Sequence, residues 1–254
     1  MNSILPLGLV LIGLLVLPQQ PGAQAQQQDS FSLPSPQVAN ARKLRLWATH
    51  YYLYPAMPAT PGGIPFLDSN GTPLTDPVSP RNWCNGAIEG SIRATKDGQL
   101  RTINFAGTRS TSQVNCAQVL SINPSQKPWI VSTGKSYFAP AKGNWGDGVN
   151  GFRLVPFRSA AVDKGTIPYG SVIFVPSLRG LLLQLPTGQS VVHDGFLFAA
   201  DTGGAIKGNH IDIFCGATVK NCMPSIIKSD SSQVFDAFII ESSELSTQLR
   251  QLHQ

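Results

Sequence analysis

The sequence predicts an all-β fold, a small barrel or sandwich, for the ordered part of this 254-residue chain. Only 13% of the residues are charged, against about 25% in an average soluble protein, and there are 24 glycines and 20 prolines. In the second half of the chain, short apolar segments alternate with turn residues, a pattern typical of closely spaced strands. The length suits one domain with a substantial core, which we expect, or two small ones.

The first 25 residues indicate export. Residues 4–17 are almost wholly apolar, and the small-x-small pattern Ala23-Gln24-Ala25 that follows is typical of a signal peptidase site. The apolar stretch is shorter than the roughly 20 residues that span a bilayer, so a membrane anchor is the weaker interpretation. We therefore expect a signal peptide over 1–25, a flexible leader over 26–41, and a periplasmic or secreted protein without a membrane span.

The first half of the chain predicts one strand and then a large insertion. Residues 44–53 are rich in Leu, Trp, Thr and Tyr and predict the first strand, whereas 55–82 contain many prolines and glycines and predict a loop. Segments 87–95 and 99–105 flank Asp97-Gly98, which favours a tight β-hairpin turn. We assign the region of about 55–151 to a partly β insertion.

The second half predicts most of the remaining strands. Turn residues at 168–170, 176–180, 186–188 and 203–204 separate the apolar segments. Only residues 242–253 look helical, and we expect them to form a C-terminal tail outside the main domain at 42–241. The predicted strands are residues 171–175, 181–185, 190–200, 210–214 and 234–241.

The four cysteines predict two disulfides in an oxidising compartment. We favour the pairs Cys84–Cys116 and Cys215–Cys222, because each closes a local loop that contains Gly or Asn. Zinc is the alternative, but no cysteine pair has the spacing of a zinc site.

The net charge of +5 suits an anionic partner such as a cell-wall polymer, and equally suits basic residues scattered over an ordinary surface. No basic run occurs, so we expect no nucleic-acid partner. Residues 146–151 match the pattern G-x-G-x-x-G, but turn residues flank them where a dinucleotide site needs a strand and a helix.

The segment from Asp201 to Asp212 is the candidate for chemistry. Asp201 ends an apolar strand, and Asp212 alternates with isoleucines in the next strand, so both carboxyl groups could face one groove. In such a pair, repulsion between like charges and partial burial raise one pKa and provide a proton donor near neutral pH. Lys207 could pair with either aspartate and would then lower its pKa.

Two other interpretations of this segment remain open. An aspartate before Thr-Gly-Gly is also a common turn former whose side chain accepts hydrogen bonds from the following amides. Asp201-Thr202-Gly203 also resembles the active-site triplet of aspartic proteases, which need two such aspartates. With one triplet in the chain, only a dimeric protease that uses Asp201 would fit.

The resemblance becomes specific when four motifs are taken together in order. They resemble the three-aspartate (3D) domain family, which includes the barrel of membrane-bound lytic transglycosylases, and the match covers residues 160–214. The motif around Trp47-Ala48-Thr49 resembles the family's opening strand more loosely. The four motifs are Ala161-Val162-Asp163, Ile167-Pro168-Tyr169-Gly170-Ser171, Ala200-Asp201-Thr202-Gly203-Gly204-Ala205-Ile206-Lys207-Gly208 and Ile211-Asp212.

The resemblance implies a six-stranded double-psi β-barrel and a lytic transglycosylase acting on peptidoglycan. Asp212 would be the acid and base that cleaves the bond between N-acetylmuramic acid (MurNAc) and N-acetylglucosamine (GlcNAc), giving a 1,6-anhydro-MurNAc end. Asp201 and Asp163 would orient groups or fix loops at the catalytic site. The candidate substrate-binding residues are Thr49, Tyr51, Gly203, Gly204 and Lys207.

A barrel of this kind could instead bind wall polysaccharide without cleaving it, as expansin-like modules do. Detection of anhydromuropeptides would distinguish the two functions. The proposed chemistry needs no cofactor. His193-Asp194 and His210 raise the possibility of a metal, but their spacing matches no known site, and we predict none.

Overall fold

The computed structural model describes residues 29–59, 62–185 and 188–254. The predicted signal peptide, with its cleavage point after Ala25, lies outside these residues. No helix in the described part of the chain combines the length and the apolar character needed to cross a membrane.

Strands dominate the structure, as the composition predicts. The strands are β1 Arg42–Tyr51, β2 Tyr54–Pro55, β3 Ser91–Lys96, β4 Gln99–Thr108, β5 Ser136–Pro140, β6 Ser159–Ala161, β7 Val172–Phe174, β8 Leu182–Gln184, β9 Ser190–Val192, β10 Phe196–Asp201, β11 His210–Phe214 and β12 Phe235–Ile240. The α-helices are α1 Pro80–Glu89, α2 Cys116–Leu120, α3 Trp129–Thr133 and α4 Ser243–Leu252.

Six strands close into a barrel in the order β1-β11-β6-β10-β7-β12, which confirms the predicted fold class. The pairs β1–β11 and β10–β6 are parallel, and the other four pairs are antiparallel. Alternating side chains from these strands, such as Leu46, Ile211 and Ile213, fill a fully buried core. The double-psi crossing of the strands stays a prediction.

The predicted strand over 190–200 is wrong as one element, because residues 193–195 interrupt it. β9 pairs with β8 in a separate hairpin, and β10 alone joins the barrel. Asp194 turns inward between them to bind Arg158, and Gly195 has a positive φ of 93°. A Cβ atom at Gly195 would lie 2.7 Å from the ring of Phe174, so this bend requires glycine.

A second sheet, in the order β2-β3-β4-β5, lies between β1 and β6 in the sequence. The predicted hairpin is confirmed, and Asp97 and Gly98 take the positive φ angles of its turn. Its own core is aromatic: the rings of Phe66, Trp83 and Phe138 pack together.

The prediction of a strand from residue 87 is wrong, because residues 80–89 form α1. Ser79 caps this helix by accepting from the amide of Asn82 at 3.2 Å, and Pro80 occupies the first turn. The sequence analysis placed Ser79 and Pro80, which mark the start of this helix, in the predicted loop over 55–82. α2 and α3 were missed as well. α4 confirms the predicted helix at the C-terminus, but it packs on the barrel rather than lying outside it, since Leu249 and His253 are fully buried.

Both predicted disulfides are formed. Cys84–Cys116 ties α1 to α2, and Cys215–Cys222 closes a loop after β11, with Cα–Cα distances of 5.5 and 5.7 Å. The described residues contain no free cysteine.

The described part of the predicted flexible leader, residues 29–41, packs on the barrel instead. Asp29 and Phe31 are buried. Arg158, which has no exposed surface, donates to Asp29 and to both carboxylate oxygens of Asp194. The Phe31 ring lies 4.5 Å from the Arg158 guanidinium. Residues 29–41 therefore supply Asp29, one of the two carboxylates that pair with the buried guanidinium of Arg158.

Candidate active site

A groove of about 520 Å³ lies between the barrel and the second sheet. The barrel contributes Asp201, Asp212 and Tyr51, and the second sheet with its helices contributes Glu89 and several apolar side chains. The predicted convergence of Asp201 and Asp212 on one groove is therefore seen in the structure.

Asp201 is the last residue of β10, at a register shift in the pairing with β6. Its Oδ2 accepts from the Tyr51 hydroxyl at 2.9 Å, and its Oδ1 accepts from the amide of Thr202 at 2.8 Å. Burial raises the pKa of Asp201 from 3.8 to about 7, and the nearby Asp212 contributes to the rise, while the two hydrogen bonds oppose it.

Asp212 lies in the middle of β11, in register with Thr49 of β1. The Thr49 hydroxyl donates to Oδ1 of the Asp212 carboxylate at 2.7 Å. Burial raises the pKa of Asp212 from 3.8 to about 6, against the effect of that hydrogen bond. We expected one raised pKa in the pair, but both are raised, and burial rather than mutual repulsion is the main cause.

Glu89 is a third acidic residue in the groove, and sequence reasoning missed it. It is the last residue of α1, and its Oε2 accepts from the amide of Tyr52 at 3.0 Å. Burial raises the pKa of Glu89 from 4.5 to about 8. No sequence signal pointed to it, because it lies 123 positions before Asp212 and belongs to no motif.

Asp163, the third aspartate of the resemblance, does not line the groove. Its carboxylate accepts from the amides of Gly165 and Gly208, at 3.0 and 2.8 Å. These hydrogen bonds lower the pKa of Asp163, with a smaller contribution from Lys207. The arrangement ties the connection after β6 to the loop before β11.

Among the candidate substrate-binding residues, three line the groove: Tyr51, Gly203 and Gly204. Thr49 does not line the groove itself but hydrogen-bonds to Asp212, which does. Lys207 is exposed and does not line the groove, and its charge acts on Asp163. The alternative in which Lys207 lowers the pKa of Asp201 or Asp212 is therefore wrong.

The histidines have hydrogen-bond partners. His193 is fully buried, its Nδ1 accepts from the amide of Gly195, and burial lowers its pKa to about 4. His210 lies with its Nε2 2.8 Å from the Thr49 hydroxyl oxygen. In the described ranges, no group of three or more His, Cys, Asp or Glu residues is arranged to hold a metal ion.

The fold and the site define a class: a closed β-barrel whose strands present partly buried carboxyl groups to a groove that a second sheet and its helices complete. Residues 158–223 match the family model described as the 3D domain. The predicted resemblance is thereby confirmed over that segment, which contains all three aspartates.

The chain is similar to membrane-bound lytic murein transglycosylase A of Vibrio cholerae, with 32% identity over 129 residues. The aligned region is 50% of this chain and 29% of that relative, so it spans less than a third of the relative's length.

Two solved structures are also similar. One is Escherichia coli MltA with bound chitohexaose, with a TM-score of 0.48 and 17% identity, covering 78% of this chain and 72% of that one. The other is a membrane-bound lytic murein transglycosylase from Agrobacterium tumefaciens, with a TM-score of 0.47 and 16% identity, covering 83% and 79%.

Proposed function

We propose that this chain is a peptidoglycan lytic transglycosylase that cleaves the MurNAc–GlcNAc bond and leaves a 1,6-anhydro-MurNAc end. The observation that carries the proposal is the carboxyl group of Asp212, which is partly buried in a groove inside the matched 3D domain and has a pKa of about 6. Such a group is partly protonated near neutral pH and can both donate and accept a proton. The name of the V. cholerae relative agrees with this activity.

Asp212 performs both proton transfers in the proposed reaction. Its protonated oxygen donates to the glycosidic oxygen as the C1–O bond breaks, which releases the GlcNAc hydroxyl. The C6 hydroxyl of MurNAc then forms the new bond to C1, and its proton returns to Asp212. No water is consumed, and the carboxyl group ends the cycle protonated, so a single acidic residue is enough.

Three other polar side chains line the groove with Asp212: Tyr51, Glu89 and Asp201. Tyr51 and Thr202 hold Asp201 in place, and its ionised form would stabilise positive charge that develops at C1. Glu89, with its pKa of about 8, is mostly protonated at neutral pH and can donate to a glycan oxygen.

The second sheet provides the opposite wall of the groove. Ile88, Phe105 and Trp129 line it, and Phe105 is 48% exposed. Flat apolar surfaces of this kind suit the carbon-bound hydrogen faces of sugar rings. Among the residues that the structure describes, no Lys or Arg lines the groove, so we expect it to hold the neutral sugar rings.

We also propose export to the periplasm or the cell exterior. The two disulfides support an oxidising compartment, and peptidoglycan lies outside the cytoplasm.

The deciding experiment incubates the purified protein with peptidoglycan and measures anhydromuropeptides by mass spectrometry. We expect product from the wild type, loss of product in Asp212→Asn, and normal product in the control Asp230→Asn. Asp230 is exposed, and its carboxylate accepts hydrogen bonds from the amide and the hydroxyl of Ser232. Binding to sacculi without product would favour an expansin-like function, and product from Asp212→Asn would reject Asp212 as the acid.

A further inference from the structure

The insertion brings two unlike side chains into the groove that holds Asp201 and Asp212: Glu89 at the end of α1 and Phe105 of β4. We propose that they form a subsite for one N-acetylhexosamine ring of the glycan, with Phe105 against the face of the ring and Glu89 donating a hydrogen bond to the carbonyl oxygen of the acetamido group. The inference deepens the proposed function and rests on a glycan substrate in this groove.

The backbone makes Glu89 and Phe105 neighbours. α1 ends at Glu89, and β3 begins two residues later at Ser91, which lies opposite Asn104 of β4. The amide of Phe105 donates to the carbonyl oxygen of Gly90 at 2.7 Å. Phe105 therefore lies beside the end of α1, and its side chain and that of Glu89 line the same groove.

A β-bulge in β4 directs the Phe105 ring toward the groove. The pairing of β4 with β5 shifts register between Phe105 and Gly107, so Ala106 is an extra residue in β4. Consecutive residues of a regular strand point to opposite faces, whereas Phe105 and Ala106 both line the groove. A Cβ atom at position 107, where φ is 152°, would lie 2.5 Å from the Tyr137 hydroxyl oxygen, so the bulge requires glycine. The ring of Phe105 is 48% exposed.

The two oxygens of the Glu89 carboxyl group have different surroundings. The Tyr52 amide, which can only donate, gives its hydrogen to Oε2 at 3.0 Å. Within the described ranges Oε1 has no hydrogen-bond partner in the protein, and it is not enclosed, so it is open to the groove. Because Oε2 already accepts, a proton on this carboxyl group is placed on Oε1, where it can be donated to a ligand.

The surroundings of Glu89 keep this proton in place at neutral pH. Burial raises the pKa of Glu89 to about 8, and the charge of Asp212 adds to the rise, while the Tyr52 amide opposes it. In the part of the chain that the structure describes, no Lys or Arg lines the groove to stabilise the ionised form. The ionisable side chains that share the groove or adjoin Glu89 are Tyr51 and Tyr52 of β1, Asp147, Asp201 of β10 and Asp212 of β11.

An N-acetylhexosamine ring offers a partner to each of these side chains. Its carbon-bound hydrogens form an apolar face for the Phe105 ring, and its acetamido carbonyl oxygen is an acceptor for the Glu89 proton. MurNAc and GlcNAc both carry this acetamido group. A glucose ring offers the same apolar face but no carbonyl oxygen, so the subsite should distinguish N-acetylated glycans from unsubstituted ones.

The test measures binding by calorimetry at pH 6 in an Asp212→Asn background, in which no bond is cleaved. The probes are chitohexaose, a GlcNAc oligomer, and cellohexaose, a glucose oligomer of equal length. We expect chitohexaose to bind about fivefold more tightly, the effect of one hydrogen bond. Adding Glu89→Ala should remove this preference. Adding Phe105→Ala should weaken the binding of both sugars about fivefold and leave the preference in place.

The pH dependence separates the proton of Glu89 from its shape. At pH 9 about nine-tenths of Glu89 is ionised, so the preference for chitohexaose should disappear. Adding Glu89→Gln provides an N–H donor of similar shape that does not titrate, and the preference should persist from pH 6 to pH 9. Ionisation of Tyr51 and Asp201 affects both proteins, so the difference between them reports on Glu89.

The matched control is Leu100→Ala. Leu100 is also on β4 and is 66% exposed, but it does not line the groove, so its loss should change neither affinity. Absence of chitohexaose binding, equal binding of the two sugars, or unchanged binding in Phe105→Ala would overturn the inference. So would a preference that Glu89→Gln loses at pH 9 along with the Glu89 protein, a comparison that does not depend on the folding of Glu89→Ala.

The failure of this subsite and the failure of the proposed function are distinguishable. If peptidoglycan yields no anhydromuropeptides but the expected binding differences appear, the proposed cleavage is wrong and the subsite stands. If anhydromuropeptides appear but Glu89→Ala keeps the preference for chitohexaose, the cleavage stands and the subsite is wrong.

Discussion

Replacing Asp201 with asparagine should make the protein more stable at pH 8 while leaving its stability at pH 4 nearly unchanged. In the unfolded chain Asp201 ionises near its ordinary pKa of 3.8, whereas in the folded protein the pKa is about 7. As the pH rises through this interval, the unfolded state releases a proton that the folded state keeps, so the folded state loses stability. The loss is complete above about pH 7.

The magnitude follows from the shift of roughly three pKa units. One unit corresponds to about 1.4 kcal/mol, so ionised Asp201 destabilises the fold by about 4 kcal/mol at pH 8. Asparagine retains a carbonyl for only one of the two donors, Tyr51 and Thr202, which offsets about 1 kcal/mol. We therefore expect Asp201→Asn to gain about 2–4 kcal/mol at pH 8.

Urea unfolding of both proteins at pH values from 4 to 8 measures this difference. Asp163→Asn is the control with the opposite sign, because hydrogen bonds lower the pKa of Asp163 and its charge stabilises the fold above pH 4. A difference between Asp201→Asn and wild type that stays constant with pH would refute the reasoning.

Three further changes test other parts of the molecule. Arg158→Met leaves buried carboxylates unpaired and should lower the free energy of unfolding, measured in urea, by about 3–5 kcal/mol. Replacing Cys84 and Cys116 with serine removes a link between positions 32 apart and should cost about 3–4 kcal/mol in the same assay. Gly148→Ala would place a methyl group 2.2 Å from the carbonyl oxygen of Ala200, so we expect a severalfold loss of anhydromuropeptide release.

Two controls accompany these changes. Arg45→Met removes an exposed ion pair with Asp236 and should cost less than about 1 kcal/mol. Gly165→Ala adds a Cβ at an ordinary contact distance of 3.4 Å and should retain product release. An equal loss of stability in the two arginine variants would contradict the role of Arg158 as a buried partner of two carboxylates. Full activity of Gly148→Ala would contradict the need for close approach at that glycine.

The elements that the sequence predicted best are those with strong local patterns. The strand at 210–214 was predicted to the residue, because polar and apolar side chains alternate there and turns flank it. The hairpin turn at Asp97-Gly98 was predicted from its residue types alone. The break after Val192 depends on Arg158, a distant residue, so no local pattern indicates it.

The residues of the candidate site also fall into those that a local sequence pattern indicates and those that it does not. Asp201 and Asp212 were found because they end or alternate within apolar strands, and the motifs between them resemble a known family. Glu89 was missed because its burial arises only in the folded chain, where the end of α1 lies beside Tyr52 and the Tyr52 amide donates to its carboxylate. The prediction that repulsion and partial burial raise one pKa was right about burial, but both aspartate pKa values are raised, and burial is the main cause. The degree of burial depends on a wall of the groove that the barrel strands do not contain.

That wall gives the insertion a chemical role. The barrel strands position Asp201 and Asp212, but a carboxyl group on an open barrel edge would be hydrated and would ionise near pH 4. The groove that holds these two aspartates is also lined by Glu89 of α1, Phe105 of β4 and Trp129 of α3, which all lie in the insertion. Because burial is the first cause of both raised aspartate pKa values, the second sheet helps to keep a proton on Asp212 near neutral pH. We therefore propose that the insertion contributes to the acid–base chemistry as well as to the shape of the groove.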